Sequence, residues 1–197
     1  MFEKEEFLTR ILNGIGDLSP ENLALSLPFW HRKSYNKADF FNQQHIVCKD
    51  LGIVLSGIFR IYYYDESTGE EKNIYFFSEE QFVVSFRSFV FQHPCRYYIQ
   101  ALEDAEILFI SYENLQYLYE NSKAWEKFGR NLAEHFFNQS QVRTEDLLFL
   151  SHEQRYVNLL QDHPNILQRV QAYHVASYLG IKNQSLSRIR KRLLSKG

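Results

Sequence analysis

The 197-residue chain has only two cysteines, Cys48 and Cys95, far apart and without CxxC spacing. One chain therefore cannot assemble a zinc site or a cysteine-ligated iron–sulfur cluster, and both thiols are expected to be reduced packing residues. The histidines, at 31, 45, 93, 135, 152, 163 and 174, form no HxH or HExxH pair, so no metal site is expected either. No apolar run reaches the roughly 18 residues of a membrane span. The opening Met1-Phe2-Glu3-Lys4-Glu5-Glu6 has acids where a secretion signal would carry bases, which predicts a soluble cytoplasmic protein. A nucleophile–base pair and a glycine-rich phosphate loop are also missing, so no catalytic residues, no cofactor and no enzyme are expected.

One further absence is local. Residues 182 to 197 hold six basic side chains, Lys182, Arg188, Arg190, Lys191, Arg192 and Lys196, and no acid. From Ser151 onward eight Lys/Arg face only Glu153 and Asp162, giving +6, and since the whole chain is −2 the first 150 residues carry −8. A near-neutral total thus conceals a basic end that suits phosphates and an acidic remainder that repels them. With 45% hydrophobic residues the chain can bury a real core, and the charge split favours more than one unit.

The basic end also carries the clearest pattern. In Val175-Ala176-Ser177-Tyr178-Leu179-Gly180-Ile181 an alanine four residues before a glycine allows two helices to approach, and the glycine supplies a left-handed turn between them. In the following helix Leu186, Ile189 and Leu193 share one face, with Ile181 beneath the first helix, while Gln184, Ser187, Arg188 and Lys191 fall opposite. Arg pairs bidentately with guanine and Gln with adenine, and Ser and Lys suit phosphates, so this pattern predicts a helix-turn-helix reading double-stranded DNA.

Upstream, Phe7, Leu8, Ile11 and Leu12 repeat at helical spacing before Gly14 and Gly16, and Ser19-Pro20 opens a second short helix to about Leu25. From Phe29 to Ile110 the chain turns to short Val/Ile/Phe/Tyr runs, among them 53–55, 58–64, 73–77, 97–101 and 106–110, broken by turn residues. Such strands predict an antiparallel sandwich or roll, with most of the 13 Tyr and 17 Phe of the chain serving as aromatic core. From Lys123 to Leu150 a long helix is expected, whose stripe Phe128, Leu132 and Phe136 is assigned to a homodimer interface. Two-fold pairing would set two recognition helices roughly 34 Å apart. Gln154 to Gln161 forms another helix stopped by Pro164, and 165–171 is read as a linker.

This order, together with Arg169 to Ile181, Leu186-Ser187-Arg188-Ile189-Arg190-Lys191, Tyr98-Ile99-Gln100-Ala101-Leu102-Glu103-Asp104 and the glycine turn Leu55-Ser56-Gly57, resembles the Crp/Fnr family of bacterial transcription regulators. The resemblance implies an α+β chain: an N-terminal antiparallel β-roll (a double-stranded β-helix) of the cyclic-nucleotide-binding kind with lead helices over 1–122, a dimerisation helix over 123–150, and a helix-turn-helix domain over 151–197 without a full wing. It implies base reading by Asn183, Gln184 and Arg188, with Lys182 a poor cap that would press Asn183 into capping. RNA polymerase contacts are expected as well.

The effector pocket maps to Val84, Ser85, Arg87 and Arg96. There the family's Gly-Glu pair is replaced by Val84-Ser85, and its phosphate-binding arginine falls at Cys95 or Arg96, followed by Tyr97. Cyclic AMP is not expected to bind, and a different small-molecule effector is left open. Two alternatives come from other classes: a ligand-responsive interaction module that does not bind DNA, and a cupin-like enzyme, which would need an HxH pair that the chain lacks.

Overall fold

The protein is described by a computed structural model covering residues 2–194; Lys196, one of the six basic residues noted above, lies outside them. Helix α1 (Phe2–Asn13) buries Leu8 and Leu12 completely. Helix α2 (Pro20–Ser26) starts at Ser19, whose hydroxyl accepts from the Asn22 backbone N–H, and a 3-10 turn follows at Leu27–Phe29.

Eight antiparallel strands come next: β1 (His31–Tyr35), β2 (Phe40–Asn42), β3 (Asp50–Ser56), β4 (Phe59–Asp65), β5 (Glu70–Phe77), β6 (Phe82–Val83), β7 (Tyr98–Ala101) and β8 (Ala105–Ser111). They form two four-stranded sheets, ordered β1-β8-β3-β6 and β2-β7-β4-β5. Strands in one sheet that are distant in sequence are the mark of a roll closed by winding rather than by hairpins. The expected α+β architecture with an N-terminal roll is present.

Strand alternation decides what each face meets. Along β8, Ala105 and Ile107 point between the sheets, while Leu108 and Ile110 point outward under the helices. The inter-sheet core joins Tyr35, Val54, Phe59, Ile61, Val83, Ile99, Ala101 and Ile107. The outer face of the first sheet is covered by α1, α2, α4 (Tyr112–Asn121) and the start of α5 (Lys123–Phe149), which bury Trp125, Phe128 and Leu132. Gly57 makes the roll's tight corner: at φ 93° it sits where a Cβ would come within 2.4 Å of Ala105 Cβ.

Strands β1, β2 and β6 were not individually legible. The sequence HRKSY of β1 is polar, and four of its five residues are exposed, so it has no apolar alternation. A short helix, α3 (Phe86–Phe91), stands in the strand region. Beyond α5, Ser151 and Gln154 form a reciprocal capping box that opens α6 (His152–Asp162). The expected linker instead contains a one-turn helix, α7 (Ile166–Arg169), because Ile166 and Val170 are pulled into the C-terminal core. Helices α8 (Ala172–Leu179) and α9 (Asn183–Leu194) end the described chain.

Candidate nucleic-acid interface and effector roll

Helices α8 and α9 are joined as the alanine and glycine predict. Ala176 is buried, Gly180 takes φ 71°, and the N–H groups of Gly180 and Ile181 donate to Ser177 and Ala176 carbonyls at 3.1 and 3.0 Å. This pair of hydrogen bonds closes the helix end. Leu186 and Ile189 pack with Val175, Ala176 and Leu179, while Leu193 is half-buried beside them. Asn183, Gln184, Ser187, Arg188 and Lys191 are all exposed, and none of their side chains makes a hydrogen bond or ion pair among the described residues. By contrast Arg192 reaches back to Glu153 on α6 at 2.5 Å.

The expected capping role of Asn183 is corrected. The Lys182 carbonyl accepts from Ser185 and Leu186 N–H, so Lys182 holds the cap position through its backbone and Asn183 is the first helical residue, its side chain uncommitted.

The roll's cassette region is compact. Val84 and Ser85 are buried, the Ser85 hydroxyl lies 2.8 Å from Cys95 Sγ, and Arg87 and Arg96 are exposed. A cleft of only about 110 Å³ lies among Ser85, Arg87, Arg96 and their neighbours. Deeper in, Tyr35, Phe41 and Phe59 fill the space between the sheets, with ring centroids 5.4 to 6.5 Å apart. Cys48 is likewise enclosed, and burial pushes its thiol up to about 12.

The structure places Phe128, Leu132 and Phe136 differently from the sequence expectation. Phe128 and Leu132 are 1% and 2% exposed within their own chain's core, and Phe136 packs on Phe82 and Phe86. Phe128 and Leu132 are therefore not free to meet a second subunit, and Phe136 is half-buried. The apolar side chains that α5 leaves exposed are Phe137, Val142, Leu147, Leu148 and Phe149.

How the C-terminal helices dock on the roll is not legible in local sequence pattern. Arg60, buried on the outer face of β4, donates to Gln100 at 2.7 and 3.1 Å and to Glu71 at 2.5 Å. It also meets His174 Nδ1 of α8 at 2.9 Å. Asn73 donates its side-chain amide to the His174 carbonyl and its backbone N–H to the Ser177 hydroxyl, which itself donates to the Glu71 carbonyl. Arg169 grips Glu79 bidentately at 2.7 and 2.9 Å and also pairs with Glu103. The guanidinium holds the Glu79 carboxyl below its ordinary range. Burial first, and Arg60 next, bring the His174 imidazole down to about 4.

Residues 32–122 match the family profile of the cyclic nucleotide-binding domain. No curated protein matches the chain. Among solved structures, the catabolite activator protein of Thermus thermophilus is 21% identical over 95% of this chain and 88% of its own, with a TM-score of 0.59. The c-di-GMP responsive global regulator CLP of Xanthomonas campestris is 20% identical over 91% and 93%, with a TM-score of 0.65. A protein of Eubacterium rectale described as a transcriptional regulator of the Crp/Fnr family is 17% identical over 92% and 86%, with a TM-score of 0.69. A wound β-roll followed by a long helix and a helix-turn-helix is thus a known plan. The roll resembles a cyclic nucleotide-binding domain, and the chain as a whole has the fold of the Crp/Fnr regulators. Among the described residues no helix is long and apolar enough to cross a membrane.

Proposed function

We propose that the protein is a dimeric, sequence-specific DNA-binding transcription regulator, in which residues 1–122 form the sensor-like part, 123–150 the pairing helix and 151–197 the DNA-binding part. The observation that carries this reading is the outer face of α9, where Asn183, Gln184, Ser187, Arg188 and Lys191 stand exposed, unpaired and without an acid on their helix, on a scaffold whose other side is core. A surface helix with only structural duties mixes signs and pairs them at i, i+4. Here the charges are left for an outside partner. The two kinds of contact separate experimentally. Arg188→Ala is expected to lose roughly 1–3 kcal/mol on the preferred site and to relax base choice, whereas Lys191→Ala weakens all sequences alike and lowers the salt slope by about one. Titration on specific and random duplexes checks this, and equal losses on both for Arg188→Ala would reduce it to a phosphate contact. RNA polymerase is the natural second partner of such a regulator once it sits on DNA.

The roll serves in this reading without cyclic AMP. A cyclic nucleotide brings a phosphate charge and a ribose hydroxyl, each of which needs a dedicated partner once out of water. Val84 and Ser85 offer no carboxylate, the nearby cleft of about 110 Å³ is well below the roughly 300 Å³ at which ligand pockets begin, and the interior is occupied by Tyr35, Phe41 and Phe59. Calorimetric titration with cyclic AMP and cyclic GMP is expected to show no binding tighter than about millimolar. A dissociation constant at or below about 10 μM that is lost in Arg96→Ala would show the cassette rebuilt around that arginine.

A further inference from the structure

The core of the C-terminal helices is not made by those helices alone. Ile58, at the corner after Gly57, and Phe76, on β5, are 1% and 4% exposed. Both belong to the same apolar cluster as Leu159 of α6, Ile166 of α7, Val175 and Leu179 of α8 and Ile189 of α9. Half-buried Leu102, just after β7, packs against this cluster, and its backbone N–H donates to the Ile58 carbonyl at 2.8 Å. The Phe76 ring stands 5.3 Å from the ring of Tyr178 on α8 and 6.5 Å from that of His163 at the end of α6, so one side chain of the roll joins both helices. Next to it His163 Nδ1 lies 3.1 Å from the Ser78 hydroxyl.

By themselves these helices have little to hold them. Residues 151–194 barely exceed the roughly 40 below which a chain seldom folds without a metal, a disulfide or a partner, and residues 151–197 contain no cysteine. Helix α7 has four residues and α8 eight, well short of the roughly 12 to 15 at which an isolated helix is even marginal in water. Two of the eleven buried members of their core come from the roll, and one of these, Phe76, is among the bulkiest. Helix α7 is also fastened from outside, through Arg169 to Glu79, and Glu79 accepts from the Gly57 N–H at 3.1 Å. One carboxylate thus ties α7 to the corner that carries Ile58.

We propose that the roll orders the helix-turn-helix: Ile58, Phe76 and Leu102 complete the core without which α6–α9 do not hold their fold. A change in that face of the roll then switches the reading helix between ordered and unfolded, rather than swinging a folded unit about a hinge. The inference deepens the regulator reading above and rests on it for its consequence, because only an ordered α9 presents Gln184, Arg188 and Lys191 to a duplex. The dependence of the helices on the roll is measurable without DNA.

Hydrogen exchange on the full chain at pH 7, read peptide by peptide, tests it. In Ile58→Ala and in Phe76→Ala the amides of α8 and α9 are expected to exchange at least about tenfold faster than in the wild type, while those of β3 and β8 keep their rates. Phe76→Leu, a milder change, should move α8 and α9 the same way by about threefold or more. Ile107→Val, confined to the core between the sheets, should leave them unchanged. A duplex selected by the wild type from a random-sequence pool should return the α8 and α9 amides of Ile58→Ala to slow exchange, although Ile58 lies on the roll. A hinge gives the opposite result, helices that swing away with their internal hydrogen bonds intact and slow amides in every variant, and that result would overturn the proposal. So would β3 and β8 amides that accelerate in step with α8, since the whole chain would then be opening at once, or an Ile107→Val variant that matches Ile58→Ala. Wild-type DNA binding with α8 exchange indifferent to Ile58 and Phe76 overturns the ordering alone, and the expected exchange in a protein that binds no duplex overturns the regulator reading alone.

Discussion

Replacing Phe137 and Leu148 together by glutamate is expected to turn a dimer into a monomer and to lower affinity for a two-half-site duplex by about 10²-fold or more. The two side chains are 70% and 71% exposed, and at 100° per residue they share a stripe of α5 with Ala133, Gln141 and Thr144. Covering a phenylalanine or leucine is worth roughly 1.5–3 kcal/mol, contributed twice in a symmetric pair, and carboxylates facing each other across the same axis would reverse the sign. Leu132→Ala provides the contrast. Leu132 lies in its own chain's core, so its truncation is expected to cost about 2–5 kcal/mol of stability while the folded protein remains paired. Light scattering near 10 μM, with melting curves alongside, separates the two outcomes, since dimers of that concentration signal an affinity of this order. A double glutamate variant that stays dimeric would show that pairing uses another surface.

The second large effect is a dependence on pH. His174 accepts from Arg60 through an unprotonated Nδ1, so a proton on the ring would set two cations against each other in a buried contact. Glu71, which favours the charged ring, is already bonded to the same Arg60, and Asn73 and the Tyr173 ring, the other close neighbours, carry no charge. The imidazole stands at about 4 when docked, and near 6.5 when the helices are released. Between those values the released state binds more protons. Docking stability is therefore fully present above pH 6.5 or so and is lost progressively as pH falls towards 4, by roughly 2–3 kcal/mol in all. Hydrogen exchange of the α8 amides at pH 7 and pH 4.5 should show this loss in the wild type. His174→Gln, whose amide oxygen still accepts from Arg60, should flatten the profile. Identical profiles for the two proteins would place the acid sensitivity elsewhere, in Glu79 with its depressed carboxyl first.

The elements visible in the sequence were those whose local pattern and tertiary role agree. Ala176 and Gly180 give away the turn because close approach and a left-handed φ restrict residue type directly. Ile53 and Val54, or Ile107 and Leu108, show strands because both faces of the first sheet are apolar. What stayed hidden depends on contacts distant in sequence. The stripe Phe128, Leu132 and Phe136 has the periodicity of an interface, but periodicity names a buried face without naming what buries it, and here it is the chain's own roll. Arg60 lies in an aromatic strand run, a sign that some acid must come to it, yet its partners Glu71 and His174 come from another strand and from a helix 114 residues on. Arg143 of α5 and Arg155 of α6, both buried, are similar, since nothing local marks a surface-type residue that the fold turns inward.

Through Arg169 of α7 and His174 and Ser177 of α8, the helical unit that carries the proposed DNA-reading face of α9 also grips the roll. Such an arrangement obeys reciprocity: whatever shifts DNA affinity by loosening or tightening that grip must have its own affinity shifted by the same factor when DNA is bound. On the proposed reading a duplex is then as much an effector of the roll as any small molecule is of the DNA end. Occupancy of the one can be read by titrating the other.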